Sequence, residues 1–256
     1  MRLARRKAWT TTNDSTSCTG KAERSATKRS RRLDAGLCAA RPAAASAVGA
    51  RSRLGHRKVH AGARRRLRRT VYGVEPSAKM RQDAERFSAH PAVAYLAGNA
   101  QRIPLPTNSC DVVVLFLVFH HVQDRPAAAA EIARVLRPDG RVLVRSTFAD
   151  RMPELGWHHF FPRAFEIEKQ MFPAVSEVVN LFAQVGLDRR ALEPVPERFA
   201  NSLAESAARL RLRAISTFEF LTAEETEQGF AALDAAVAAE TTPHPVEGIS
   251  DLLVLG

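Results

Sequence analysis

Cysteine is scarce in this sequence and does not cluster. Cys18, Cys38 and Cys110 are the only three. They show neither the paired spacing of a zinc site nor a disulfide framework, so no metal is expected and a reducing cytoplasm is the expected compartment. Long apolar runs are lacking too. The longest, Val112 to Phe119, falls far short of the roughly 20 residues that cross a bilayer as a helix, and no membrane partner is expected. Acidic residues are almost missing from the first 70 positions, which hold 20 Lys and Arg against 3 Asp and Glu. The other 186 residues hold 18 against 24. The net charge of +11 thus belongs to a basic leader, and the body is slightly acidic.

Such a leader suggests nucleic acid, an anionic surface or a targeting segment. Its first 32 residues are rich in Arg and Ser and poor in acid, as a transit peptide would be. No base-reading module or aromatic stacking set accompanies the charge, so nucleic acid is not the expected partner.

From Val71 onward the pattern alternates between strand and helix. Val71 to Val74 reads as a short buried strand, Ser77 to Ser88 as a helix and Val93 to Leu96 as the next strand. Asp111 to Phe119 is a Val-rich run without alternation, as expected of a parallel strand covered on both faces. Asp124 is placed to cap a helix with Pro126 in its first turn and an apolar face of Ile132, Ala133 and Leu136. Pro138-Asp139-Gly140 stops that helix and turns the chain into a strand over Arg141 to Thr147. Further along, Ser176 to Val185 reads as an amphipathic helix stopped by Gly186, and Arg190 to Val195 as a strand. Helices are expected over Ala200 to Leu212 and Thr222 to Glu240, with a final strand over Asp251 to Leu255. This spacing predicts an α/β fold with a mostly parallel sheet. It also predicts a leader over 1–70 and one domain over 71–256, with a helical insertion at about 196–250 placed to cover a substrate pocket.

A doubly wound sheet binds its ligand beyond the outgoing ends of its strands. After the first visible strand come Glu75 and Pro76. A carboxylate there can accept hydrogen bonds from both hydroxyls of a ribose. After the next come Gly98, Asn99, Ala100 and Gln101, where a side-chain amide and a backbone N–H can read an adenine edge. After the Val-rich strand come His120 and His121.

The series GVEPS, GNAQRIPLP, CDVVVLFLVFHHV and EIARVLRPDGRVLV resembles, in order and spacing, the small-molecule methyltransferase domain of class I, which uses S-adenosylmethionine. The resemblance covers about 80 residues. It implies a Rossmann-like sheet of seven strands whose last is antiparallel. It implies that Glu75, with Pro76 beside it, holds the ribose, that Asn99, Ala100 and Gln101 lie at the adenine, and that the stretch from Leu115 to His120 runs along the cofactor and the substrate opening. The implied reaction is in-line transfer of a methyl group to a small molecule.

One feature of that family is missing. Its first strand ends in a glycine-rich loop whose backbone approaches the methionine part of the cofactor, an approach that a side chain would block. Leu33 to Cys38 begins like such a loop, but no further glycines follow. When Ala50 to Ala61 is back-translated and read one nucleotide later from Gly49, codons exist that spell VLDLGSGTGRFT. The aspartate of that loop falls at Arg51/Ser52, 24 residues before Glu75. We read 49–70 as a frame-shifted segment, the alternative being a basic tail without structure. The literal chain is then expected to lack the first strand and to bind the cofactor weakly, and a degenerate, inactive relative is the second functional reading.

Methyl transfer needs a nucleophile held about 3–3.5 Å from the methyl group, and a base only where that nucleophile arrives protonated. His120, His121, His158 and His159 are the candidate bases, each weighed against a packing role. Asp111 is expected to order the start of its strand. The aromatic set Trp157, Phe160, Phe161, Phe165 and Phe172 suits either a lid or a plain core.

Overall fold

The computed structural model describes residues 36–40 and 70–256. The rest of the leader lies outside the described residues, and with it the whole of the frame-shifted reading but Thr70. In chain order the strands are β1 (Gly36–Ala40), β2 (Val71–Glu75), β3 (Val93–Ala97), β4 (Cys110–Phe116), β5 (Leu136–Ser146), β6 (Arg189–Ala200) and β7 (Val246–Leu255). The helices are α1 (Ala78–Ser88), α2 (Arg125–Val135), α3 (Pro162–Met171), α4 (Val175–Ala183), α5 (Leu203–Leu210) and α6 (Ala223–Ala239). The seven strands form one sheet in the order β3-β2-β1-β4-β5-β7-β6.

β2 pairs with β3, and β4 with β5, in parallel. β7 is antiparallel to both β5 and β6, as the resemblance implies for the last strand. The central strand departs from expectation. The slot between β2 and β4 is filled by Gly36–Ala40, antiparallel to both neighbours. The leader therefore supplies a strand where none was expected, and the Leu33 to Cys38 stretch runs into a strand and not into a glycine loop.

Local signals account for most boundaries. Ser77 caps α1 by accepting the Met80 N–H at 3.3 Å, and Asp124 caps α2 by accepting the Ala127 N–H at 2.9 Å. Gly186, with φ of 78°, takes the left-handed conformation just past α4. The Pro-Asp-Gly turn survives inside β5, where the pairing jumps from Cys110↔Leu136 to Val112↔Arg141 and the intervening residues bulge out. Asp111 sits at that bulge and accepts a hydrogen bond from Arg137 Nη1 at 2.8 Å.

Two apolar clusters form. The main core packs Val113, Leu115, Val142, Val144, Leu253 and Leu255 of the sheet against Ile132 and Val135 of α2 and Val178 and Phe182 of α4. The second joins Trp157, Phe161 and Ala164 to Leu210, Phe218, Phe230 and Leu233. Most of this second core comes from the helical insertion, which spans 203–239 because β6 runs on to Ala200 and β7 begins at Val246. Gly229 is required there, since a Cβ on it would stand 2.2 Å from the Phe161 ring. Cys110 is fully buried and disulfide-bonded, which corrects the expectation of unpaired thiols. Among the described residues no helix is long and apolar enough to cross a membrane.

Candidate functional site

Parallel pairing places the outgoing ends of β2, β3, β4 and β5 on one edge, where an open α/β sheet binds ligands. Glu75 is the last residue of β2 and is only 5% exposed. Its Oε1 accepts the Ser77 N–H at 2.8 Å, and Arg81 Nη1 donates to the carbonyls of Glu75 and Pro76 at 2.8 and 3.0 Å. The exit from β2 is thus rigidly set, with the carboxylate at the edge.

The turn after β3 is equally constrained. Asn99 and Arg102 exchange backbone hydrogen bonds at 3.3 and 3.1 Å, and Asn99 Oδ1 accepts the Gln101 N–H at 3.0 Å. That contact leaves Asn99 Nδ2 as the side-chain donor for a ligand. Gly98 permits the turn, because a Cβ would lie 2.7 Å from Pro104 Cδ and 2.9 Å from the Arg102 carbonyl. Beside it opens a cavity of about 590 Å³ floored by Gly98, Asn99, Ile103 and Pro104 and walled by Glu131 and Arg134. Glu131 Oε1 accepts the Ile103 N–H at 2.8 Å, and Arg134 bridges both carboxylate oxygens of Glu131 and the Ile103 carbonyl. The hydrogen bond from Arg134, before any other influence, lowers the Glu131 pKa. This clamp ties the turn to α2. Both residues lie inside the recognised EIARVLRPDG run, but the contact across 28 positions has no sequence signal.

β4 ends in a strained turn. Leu117 has φ of 52°, a left-handed conformation that costs a non-glycine residue about 1–2 kcal/mol. Its N–H is held by the Arg145 carbonyl at 2.8 Å. Strain of this kind persists where the surroundings over-determine it and tends to cluster at functional sites; leucine itself gives no hint of it. The turn delivers His120, whose ring packs 4.1 Å from that of Phe172 and 3.9 Å from that of His121. His120 Nδ1 is buried without a hydrogen-bond partner among the described residues. Burial, then the neighbouring His121 and Arg125, push its pKa down to about 3, so the imidazole is neutral at pH 7. His121 is exposed.

The remaining sequence candidates separate. Leu115 is 4% exposed within the main core. His158 is fully buried, accepts the Leu155 N–H on Nδ1 at 3.0 Å and so carries its proton on Nε2, which meets Glu168 Oε2 at 3.0 Å. The second oxygen of Glu168 accepts the Thr217 hydroxyl at 2.9 Å. Both nitrogens of His158 are therefore engaged, and it is Glu168 that ties α3 to the insertion. His159 is exposed, its ring edge-on to Phe160. Farther along the edge, a cavity of about 210 Å³ opens between Thr147, Arg151 and the ribbon of β6 and β7, where Arg151 pairs with Asp251 at 3.0 Å.

Residues 54–144 match the family described as a methyltransferase domain. An uncharacterized methyltransferase of Geobacillus kaustophilus is 28% identical over 126 residues, covering 45% of this chain and 58% of its own length. The malonyl-[acyl-carrier protein] O-methyltransferase of Serratia marcescens is 39% identical over 72 residues, 28% of this chain and 27% of its own. This similarity over residues 54–144 supports a class I S-adenosylmethionine-dependent methyltransferase. A solved structure assigned to a methyltransferase of an antibiotic biosynthesis pathway in Anabaena variabilis shares the fold, with a TM-score of 0.56 and 22% identity over 72% of this chain and 81% of its own. The chain spans just over half the length of the first curated relatives that it matches. The family match begins at residue 54, ahead of β2.

For the cofactor that the family implies, the fit differs between its two ends. The nucleoside end meets a carboxylate at the β2 exit and a glycine turn that a Cβ would block. Toward the methionine end the described residues offer only β1, antiparallel to both of its neighbours.

Proposed function

We propose that this chain is a methyltransferase using S-adenosylmethionine on a small-molecule acceptor, with 71–256 as the catalytic unit and 203–239 as the cover of the acceptor space. The observation that carries the reading is the gathering of Glu75, the Gly98–Gln101 turn and His120 on one sheet edge, within the stretch that matches the family.

S-adenosylmethionine, when bound, supplies a methyl group activated by a sulfonium. Glu75 would accept the ribose hydroxyls, and Pro76 would fix its approach. Asn99, Ala100 and Gln101 would face the adenine, with the Glu131–Arg134 clamp keeping their turn in place. His120, neutral at pH 7, would line the exit of β4 beside the reacting groups, its lowered pKa making it a weak base. His121 would stand at the mouth. His158, with both nitrogens engaged, would act by holding the cover in shape. The Thr147–Arg151–Asp251 cavity is the space we assign to the acceptor.

Titration calorimetry with S-adenosylhomocysteine tests this reading. Glu75→Ala should weaken binding by about 1–3 kcal/mol, as loss of hydrogen bonds to a charged acceptor does. Equal affinity for the wild type and the variant would remove Glu75 from the site.

A further inference from the structure

The chain leaves β5 through a turn that sets Arg151 against β7. The Arg151 N–H donates to the Phe148 carbonyl at 3.0 Å, which fixes the backbone there. Its side chain reaches Asp251, the residue at which pairing between β5 and β7 stops. Nε donates to Asp251 Oδ2 at 3.0 Å, and Nη2 to Oδ1 at 3.2 Å. That leaves both hydrogens of Nη1 and one of Nη2, an end-on fork, without a partner among the described residues.

The pair is lopsided in exposure. The Arg151 side chain is 44% exposed and that of Asp251 only 7%. The carboxylate stands behind the guanidinium, so a ligand entering the cavity meets the cation first. The other acids nearby are engaged or turned away. Glu197 accepts from Arg145, which also donates to Ser250 Oγ, and Asp150 Oδ1 accepts the Val175 N–H. Glu193 precedes Pro194 in β6, and strand alternation turns it to the opposite face. Glu154 follows Pro153 but lies outside the lining. The walls facing Arg151 are apolar: Pro153, Pro194 and Ile249, the last 49% exposed. The volume of about 210 Å³ is the room of about seven water molecules.

We infer that this cavity takes a small carboxylic acid, its carboxylate on Arg151 Nη1 and Nη2 and its apolar body against Pro153, Pro194 and Ile249, and that the methyl acceptor belongs to that class. The inference rests on the reading of this cavity as the acceptor space. Two parallel N–H groups of one guanidinium match the two oxygens of a carboxylate. A single negative charge also suits a cation already paired with Asp251, whereas a dianion would be repelled by that carboxylate with one charge uncompensated.

NMR titration of the full chain with benzoate, benzamide and benzylamine, probes of similar shape and different charge, reads the preference. Benzoate should bind roughly tenfold more tightly than either of the others, or better, as charge-assisted hydrogen bonds imply. The preference should vanish in the double variant Arg151→Gln/Asp251→Asn, which removes the pair together and leaves no buried charge unpaired. In Arg151→Gln alone it should invert toward benzylamine, because Asp251 then faces the cavity uncovered. Equal binding of benzoate and benzamide, a wild-type preference for benzylamine, or a benzoate preference that survives the double variant would overturn the inference. S-adenosylhomocysteine titrated into the same samples keeps the two readings apart. If it binds while benzoate shows no preference, the carboxylic-acid class falls and the cofactor site stands. If it fails to bind while benzoate does, Arg151 marks an anion site that is not an acceptor site, and the inference falls with the methyltransferase reading.

Discussion

Replacing His120 by Phe isolates the cost of keeping an imidazole neutral at the end of β4. Its pKa falls from 6.5 to about 3, chiefly through burial and further through His121 and Arg125. Between those two values the unfolded chain takes up a proton that the folded chain refuses. Stability is therefore complete above pH 6.5 and is lost as the pH falls towards 3, at up to about 1.4 kcal/mol per unit. At pH 5 the loss amounts to about 2 kcal/mol. Phe keeps a ring to pack against Phe172, 4.1 Å from the His120 ring, and cannot titrate. Urea denaturation of both proteins at pH 7.5, 6 and 5 reads the effect. With a slope near 3 kcal/mol per molar, the variant's midpoint should gain roughly 0.7 M on the wild type between pH 7.5 and 5. Midpoints that fall in parallel would show that His120 is not held neutral by its burial.

Glu131→Ala removes the acceptor of the Ile103 N–H and the partner of Arg134. It should cost about 2 kcal/mol in denaturant unfolding and weaken S-adenosylhomocysteine binding through the loosened turn, an effect that calorimetry would read alongside the stability loss. Thr217→Val takes the hydroxyl from Glu168 Oε1 at nearly constant shape. About 1–2 kcal/mol should be lost, seen as a fall of about 2–8 °C in the melting temperature; an unchanged value would mean that the His158–Glu168–Thr217 chain does not hold the insertion.

Much of the fold was legible because its signals are local. Asp124 and Ser77 at helix starts, Gly186 past a helix end and the Val-rich run of β4 each act within a few residues, through caps, left-handed turns and burial on both faces. Glu75 was legible for the same reason, since a carboxylate directly after a strand must lie at the sheet's edge. α3 was not anticipated: its apolar face meets the insertion, a partner about 50 positions downstream.

Contacts across the chain carried no such signal. His158 looked like a base as readily as a packing group until Glu168 and Thr217 closed around it. Leu115 matched a cofactor-lining position by order, and only the structure showed how deeply the core beneath β4 buries it. The sequence by itself determined the strand–helix alternation and which residues follow each strand, because hydrophobic period and capping act over one or two turns. Only the tertiary structure decided the direction of β1, the clamp on the Gly98 turn and the isolation of His120 Nδ1. Strand direction, long-range hydrogen bonding and burial are settled by which distant segments share a space, and no local pattern encodes that.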